Sequence, residues 1–104
     1  MIGAGVVSNA TLLEERMGGP HKTAAEGRQR YATYRDAVKA HIETSASFRE
    51  QIAQDSETQG DHENADGLRS LDPEAVELAA EQIALAALDD QNHAAARWVL
   101  EALQ

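Results

Sequence analysis

Residues 23–57, TAAEGRQRYATYRDAVKAHIETSASFREQIAQDSE, carry the clearest periodicity in the chain. Tyr31, Tyr34, Val38, Ile42, Phe48 and Ile52 recur at spacings of three, four or six, and Ser45 fills the gap between Ile42 and Phe48. At ~100° per residue these positions share an arc of about 120°, the pattern of a single apolar stripe on an α-helix. Thr23 and Glu26 have capping-box spacing just ahead of the stripe, and Gly18, Gly19 and Pro20 precede them as breakers. Glu26 lies four residues before Arg30, the favourable order for an exposed pair. Gly27 weakens the first turn by ~1 kcal/mol relative to Ala. We therefore read 21–57 as one long central helix. At roughly 30 residues it would extend about 45–50 Å, more than a domain of this size is wide. It must bend, protrude, or pack against a second copy.

The 104 residues suffice for one domain. Hydrophobic content is 42%, but 20 of those side chains are alanine, and Leu, Ile, Val and Phe together number only 19. With a net charge of −9, this borders on the composition of disordered chains, so we expect a small core completed by homodimerisation. Cysteine is absent, which removes disulfides and thiolate metal sites. The opening Met-Ile-Gly-Ala-Gly-Val-Val-Ser fits neither a signal peptide nor a myristoylation pattern, and nothing approaches a membrane span. The expected location is cytoplasmic, in a bacterial host cell.

Working outward, residues 1–20 read as an N-terminal arm and a short helix. The apolar, Gly-spaced residues 1–7 form the arm. Ser8 or Asn9 caps the helix, which carries Leu12, Leu13 and Met17. Gly3-Ala-Gly5 is not a dinucleotide loop, because Ser8 stands in place of the third glycine and no strand precedes it. Residues 58–71 read as an acidic, solvated linker. Asn64, Asp66 and Gly67 echo part of a calcium loop, but its first and twelfth positions would be His62 and Pro73, which are wrong for it. Residues 72–104 read as an antiparallel helical hairpin. Asp72-Pro73-Glu74 supplies a cap, an N1 proline and a first-turn acid. Val76, Leu78, Ala79, Ile83 and Ala87 line the first helix, Asp89 to Asn92 make the turn, and Ala95, Trp98, Val99, Ala102 and Leu103 line the second. The class is all-α, with the alanines letting the hairpin helices approach closely.

Charge divides the chain. Residues 1–52 hold seven basic and six acidic side chains, and residues 53–104 hold two basic and twelve acidic, net −10. Two candidate surfaces follow. Arg28, Arg30, Tyr31, Tyr34, Arg35 and Lys39 make a basic, aromatic ridge suited to the backbone and bases of single-stranded nucleic acid. The commoner reading is that the tyrosines are core and the arginines solvate its edge. Glu74, Glu77 and Glu81, with Asp89 and Asp90, make an acidic surface that resembles phosphate spacing and would fill a partner's basic groove, unless they serve only for solubility. His41 falls on the apolar stripe, as a core or interface histidine does. His93 with Asp89 and Asp90 lacks the second half of a di-metal site. No serine sits in an elbow and no lysine has an activating neighbour, so we expect no catalysis, metal or cofactor.

In size, acidity, lack of cysteine and Ala-rich helices (Ala79-Ala80, Ala94 to Ala96), the chain resembles the small inhibitors that phages and mobile elements carry against bacterial defences, anti-CRISPR proteins among them. The acidic runs from Asp55 to Asp66 and from Glu74 to Glu81 carry the likeness. It implies a mode of action, stoichiometric blocking of a nucleoprotein machine, and assigns no residue a role. The expected partner is a protein with a basic, nucleic-acid-handling surface. A structural or adaptor subunit of a phage or bacterial assembly is the alternative.

Overall fold

The computed structural model describes residues 8–89 and 93–104, with the backbone alone at residue 93. Among the described residues there are six helices and no strand: α1 (Asn9–Arg16), α2 (Ala24–Thr44), α3 (Ala46–Thr58), α4 (His62–Arg69), α5 (Pro73–Ala87) and α6 (His93–Ala102). The expected arm at 1–7 lies outside the described residues, as do 90–92 of the expected turn.

The caps follow local chemistry. The Ser8 hydroxyl accepts from the Thr11 amide at 3.1 Å, and the helix closes through Gly18 and Gly19, both at positive φ, with the Gly19 amide donating to the Glu14 carbonyl at 2.8 Å. Thr23 Oγ1 accepts from the Glu26 amide at 3.1 Å, while the Glu26 carboxylate reaches back to the Lys22 amide at 3.0 Å. Asp72 caps α5 through the Ala75 amide at 3.2 Å, with Pro73 in the first turn.

The long central helix is a correction. It breaks at Ser45, whose extended backbone (φ −117°, ψ 108°) ends α2 and begins α3. Ser45 Oγ accepts from the Phe48 amide at 3.2 Å, offering the backbone a cap in place of a further helical turn. The guanidinium of Arg49 folds back onto the Ile42 carbonyl at 3.0 Å, satisfying an end that a helix terminus leaves open. The bend turns Phe48 inward. Its ring is fully buried, with the half-buried His41 ring 4.3 Å away centroid to centroid.

The solvated linker at 58–71 is the second correction, since α4 occupies most of it. Asp61 caps it, Ala65 and Leu68 are fully buried, and Asn64 Nδ2 donates to Ser56 Oγ of α3 at 2.9 Å. Arg69 clasps Glu50 through both of its carboxylate oxygens (3.0 and 2.8 Å) and Glu57 at 2.6 Å. Eight residues with one large apolar side chain make a poor helix alone, so packing supplies α4's stability. Gly67 lets α4 approach α5, because a Cβ there would stand 2.7 Å from Ala75 Cβ.

Helices α2 and α5 are the central pair, and Tyr34, Val38 and Ile42 of α2 share one buried cluster with Val76, Ala80, Ile83 and Ala84 of α5. Helix α6 packs on α5 and α2, and α1 on α6, with an Arg16 N–H donating to the Leu103 carbonyl at 2.7 Å. Among the described residues, nine of the 19 buried hydrophobic ones are alanine, so the core rests on close backbone approach more than on large side chains. The accessible surface is 6165 Å². A folded monomer of this mass exposes about 5,700 Å². The single chain thus exposes slightly more surface than a compact monomer of its mass.

Candidate interaction surface on α5

The basic ridge does not assemble as a free surface. Tyr34 is 2% exposed, and burial pushes its phenol above the ordinary tyrosine range, so its ring is closed to a base. An Arg30 N–H donates to the Met17 carbonyl at 3.1 Å. The Arg35 guanidinium pairs with Asp36 at 3.2 Å and lies 5.5 Å from the centroid of the half-buried Tyr31 ring, occupying one face of it. Lys39 Nζ meets Glu77 Oε2 at 2.9 Å, and this hydrogen-bonded pairing raises the lysine's pKa. Arg28 is exposed. The two surfaces that the sequence separates thus touch where α2 crosses α5.

Of the acidic candidates, Glu74 and Asp89 are exposed, Glu77 and Glu81 are partly so, and Asp90 lies outside the described residues. Their setting corrects the sequence reading at Leu78, expected in the core but 47% exposed. Leu85, two turns on, is 60% exposed. At ~100° per residue Glu74, Leu78, Glu81 and Leu85 lie within about 60° of one another, opposite the alanine face that packs inward. Leu78 stands between two shallow hollows. One, of about 400 Å³, is bounded by Lys39, Pro73, Glu74, Glu77 and Glu81. The other, of about 300 Å³, is bounded by Asp61, Glu63, Asp72 and Glu74 among others. Sequence reasoning missed this surface by counting Leu78 as core. The missed signal was the pairing of two leucines at i,i+7 with two glutamates at i,i+7, on a helix whose other face already had Val76, Ala80 and Ile83.

A further hollow of about 290 Å³ opens between α3, α4, α5 and α6, floored by Ile52, Ile83 and Trp98. Four of its polar side chains are paired: Gln59 donates to Asp55 at 2.8 Å and Asn64 to Ser56 at 2.9 Å. Trp98 packs against the core as expected, with a buried indole N–H that finds no acceptor among the described residues.

No family model, no curated protein and no solved structure matches the chain.

Proposed function

We propose that the chain is a non-enzymatic inhibitor of the kind carried by phages and mobile elements, which blocks a bacterial nucleoprotein defence complex by occupying a basic, nucleic-acid-handling surface with its acidic half. The observation that supports this reading is the outer face of α5, where carboxylates flank leucines that, among the described residues, no side chain covers. Of the two basic residues after residue 52, Arg69 is held by Glu50 and Glu57, so the surrounding field stays negative. The single-strand route is not adopted, because Tyr34 is buried and Arg30, Arg35 and Lys39 are engaged within the chain.

The test is capture from lysate of a bacterium carrying such a defence system. The tagged chain should retain a nucleic-acid-binding complex, compete with that complex's own nucleic acid, and release it as salt rises. Glu74→Gln with Glu81→Gln should weaken capture while leaving the helical spectrum unchanged. Equal capture by the variant would refute the reading, and self-assembly with no host partner would replace it with the structural-subunit alternative.

A further inference from the structure

We infer that the outer face of α5 is one half of a heptad seam, and that its occupant is an amphipathic α-helix of a partner protein with apolar side chains and Lys or Arg at alternating seam positions. This rests on the proposed function, in that it names the chemistry of the partner's surface.

Spacing comes first. Glu74, Leu78, Glu81 and Leu85 follow one another at intervals of four, three and four, the a/d pattern by which one helix presents a stripe to another. Two leucines and two glutamates alternate along it, and each pair is separated by about 10.5 Å, two turns. The stripe is exposed, since Leu78 and Leu85 are among the few large apolar side chains that the fold leaves open. The acid-bounded hollows on either side of Leu78 have the shape a facing helix needs, a knob with recesses beside it.

Charge then selects the occupant. A second copy of α5 laid parallel would set glutamate against glutamate. Laid antiparallel, it would press leucine onto glutamate and bury carboxylates without a cation. Nucleic acid is repelled by the same carboxylates. Within the chain, Lys39 pairs with Glu77 at the edge of the stripe and not with Glu74 or Glu81 inside it. A helix that presents ammonium or guanidinium groups to Glu74 and Glu81 and aliphatic groups to Leu78 and Leu85 satisfies both sets at once. Acids within the seam also discriminate against ordinary apolar coiled-coil partners, which would leave the carboxylates buried and unpaired.

The experiment uses the full chain and three labelled peptides of three heptads (about 21 residues). One has Leu at a and Lys at d. A second has the same composition in an order with no seam. A third replaces each Lys by Glu. Fluorescence anisotropy at about 50 and 200 mM salt reads the affinities. The ordered Leu/Lys peptide should bind at least tenfold more tightly than the reordered one, and the Glu peptide should not bind. Leu78→Ser with Leu85→Ser, both solvent-facing, should lower affinity tenfold or more with no change in the circular dichroism spectrum. Glu74→Gln with Glu81→Gln should flatten the salt dependence. Equal binding of the ordered and reordered peptides overturns the seam, as does wild-type affinity in the leucine variant. Self-association of the chain that disappears in the leucine variant also overturns it, in favour of a second copy. The two readings fail separately. A host complex captured equally well by the leucine variant upholds the inhibitor and overturns the seam. Ordered-peptide binding that the leucine variant loses, without any nucleic-acid-handling partner, upholds the seam and refutes the inhibitor.

Discussion

Replacing Gly67 by alanine sets two effects of opposite sign against each other, and the structure says which prevails. Gly67 lies in the interior of α4, where alanine favours the helix by ~0.8–1 kcal/mol on propensity alone. A methyl there, however, would sit 2.7 Å from Ala75 Cβ across the α4–α5 contact. Carbon atoms pack at about 3.5–4.0 Å, so the helices must part by roughly an ångström. Overpacking of this kind costs ~1–3 kcal/mol. Gly67→Ala should therefore destabilise the chain by about 1 kcal/mol net, or roughly 4–8 °C in Tm. Urea denaturation followed by circular dichroism at 222 nm measures it. The companion variant Ala75→Gly removes the obstructing methyl. In that background Gly67→Ala should be neutral or stabilising, a coupling of about 1 kcal/mol or more. The same change in both backgrounds, or stabilisation of the wild type by Gly67→Ala, would refute the close approach.

Leu71 has φ +59°, a left-handed conformation that strains any side chain, and α4 closes there as the Asp72 N–H donates a hydrogen bond to the Gly67 carbonyl at 2.8 Å. Leu71→Gly should stabilise the fold by about 0.5–1 kcal/mol in the same denaturation assay, and destabilisation would show that the exposed leucine makes a contact worth more than the strain. The hydrogen bonds from Arg69 hold the Glu50 and Glu57 carboxyls below their usual range of about 4.5. A lowered folded-state pKa contributes stability that is present above the unfolded value and lost as pH falls through the folded one. Thermal melts should thus show the stability advantage of wild type over Arg69→Met at pH 7 shrinking below about pH 4.5. A pH-independent difference would sink the clasp as its cause.

The apolar stripe from Tyr31 to Ile42 was legible because it is long and amphipathic and its apolar side is the side that packs inward, so period and burial agree. The break at Ser45 was not. Serine at that position continues a helical wheel as well as it caps a new helix, and what decides is Arg49 folding back and Phe48 finding a pocket, both tertiary. Helix α4 was hidden for a related reason. Ala65 and Leu68 offer too little apolar surface to announce a helix, and its remaining stability comes from Arg69 reaching Glu50 and Glu57 on another element. At the candidate site, the sequence displayed the acids of α5 but could not show that Leu78 and Leu85 stand beside them on the outer face. A leucine's side of a helix depends on which face meets the core, and α5 has enough small residues to build its inner face without them. The charge division along the chain also did not survive as two separate surfaces, because Lys39 and Glu77 come from opposite halves and meet at 2.9 Å.

The alanine-built interior has a consequence for how this sequence can drift. Where a core is made of leucines, substitution runs both ways: a side chain can shrink and leave a void, or be exchanged for another of similar bulk. At Ala53, Ala65, Ala80, Ala84 and Ala96, all fully buried, there is almost nothing to remove, and each added methylene must force two backbones apart. Inherited change is thereby channelled to the outside of the helices, leaving the arrangement of the backbone conservative and the exposed side chains free to vary.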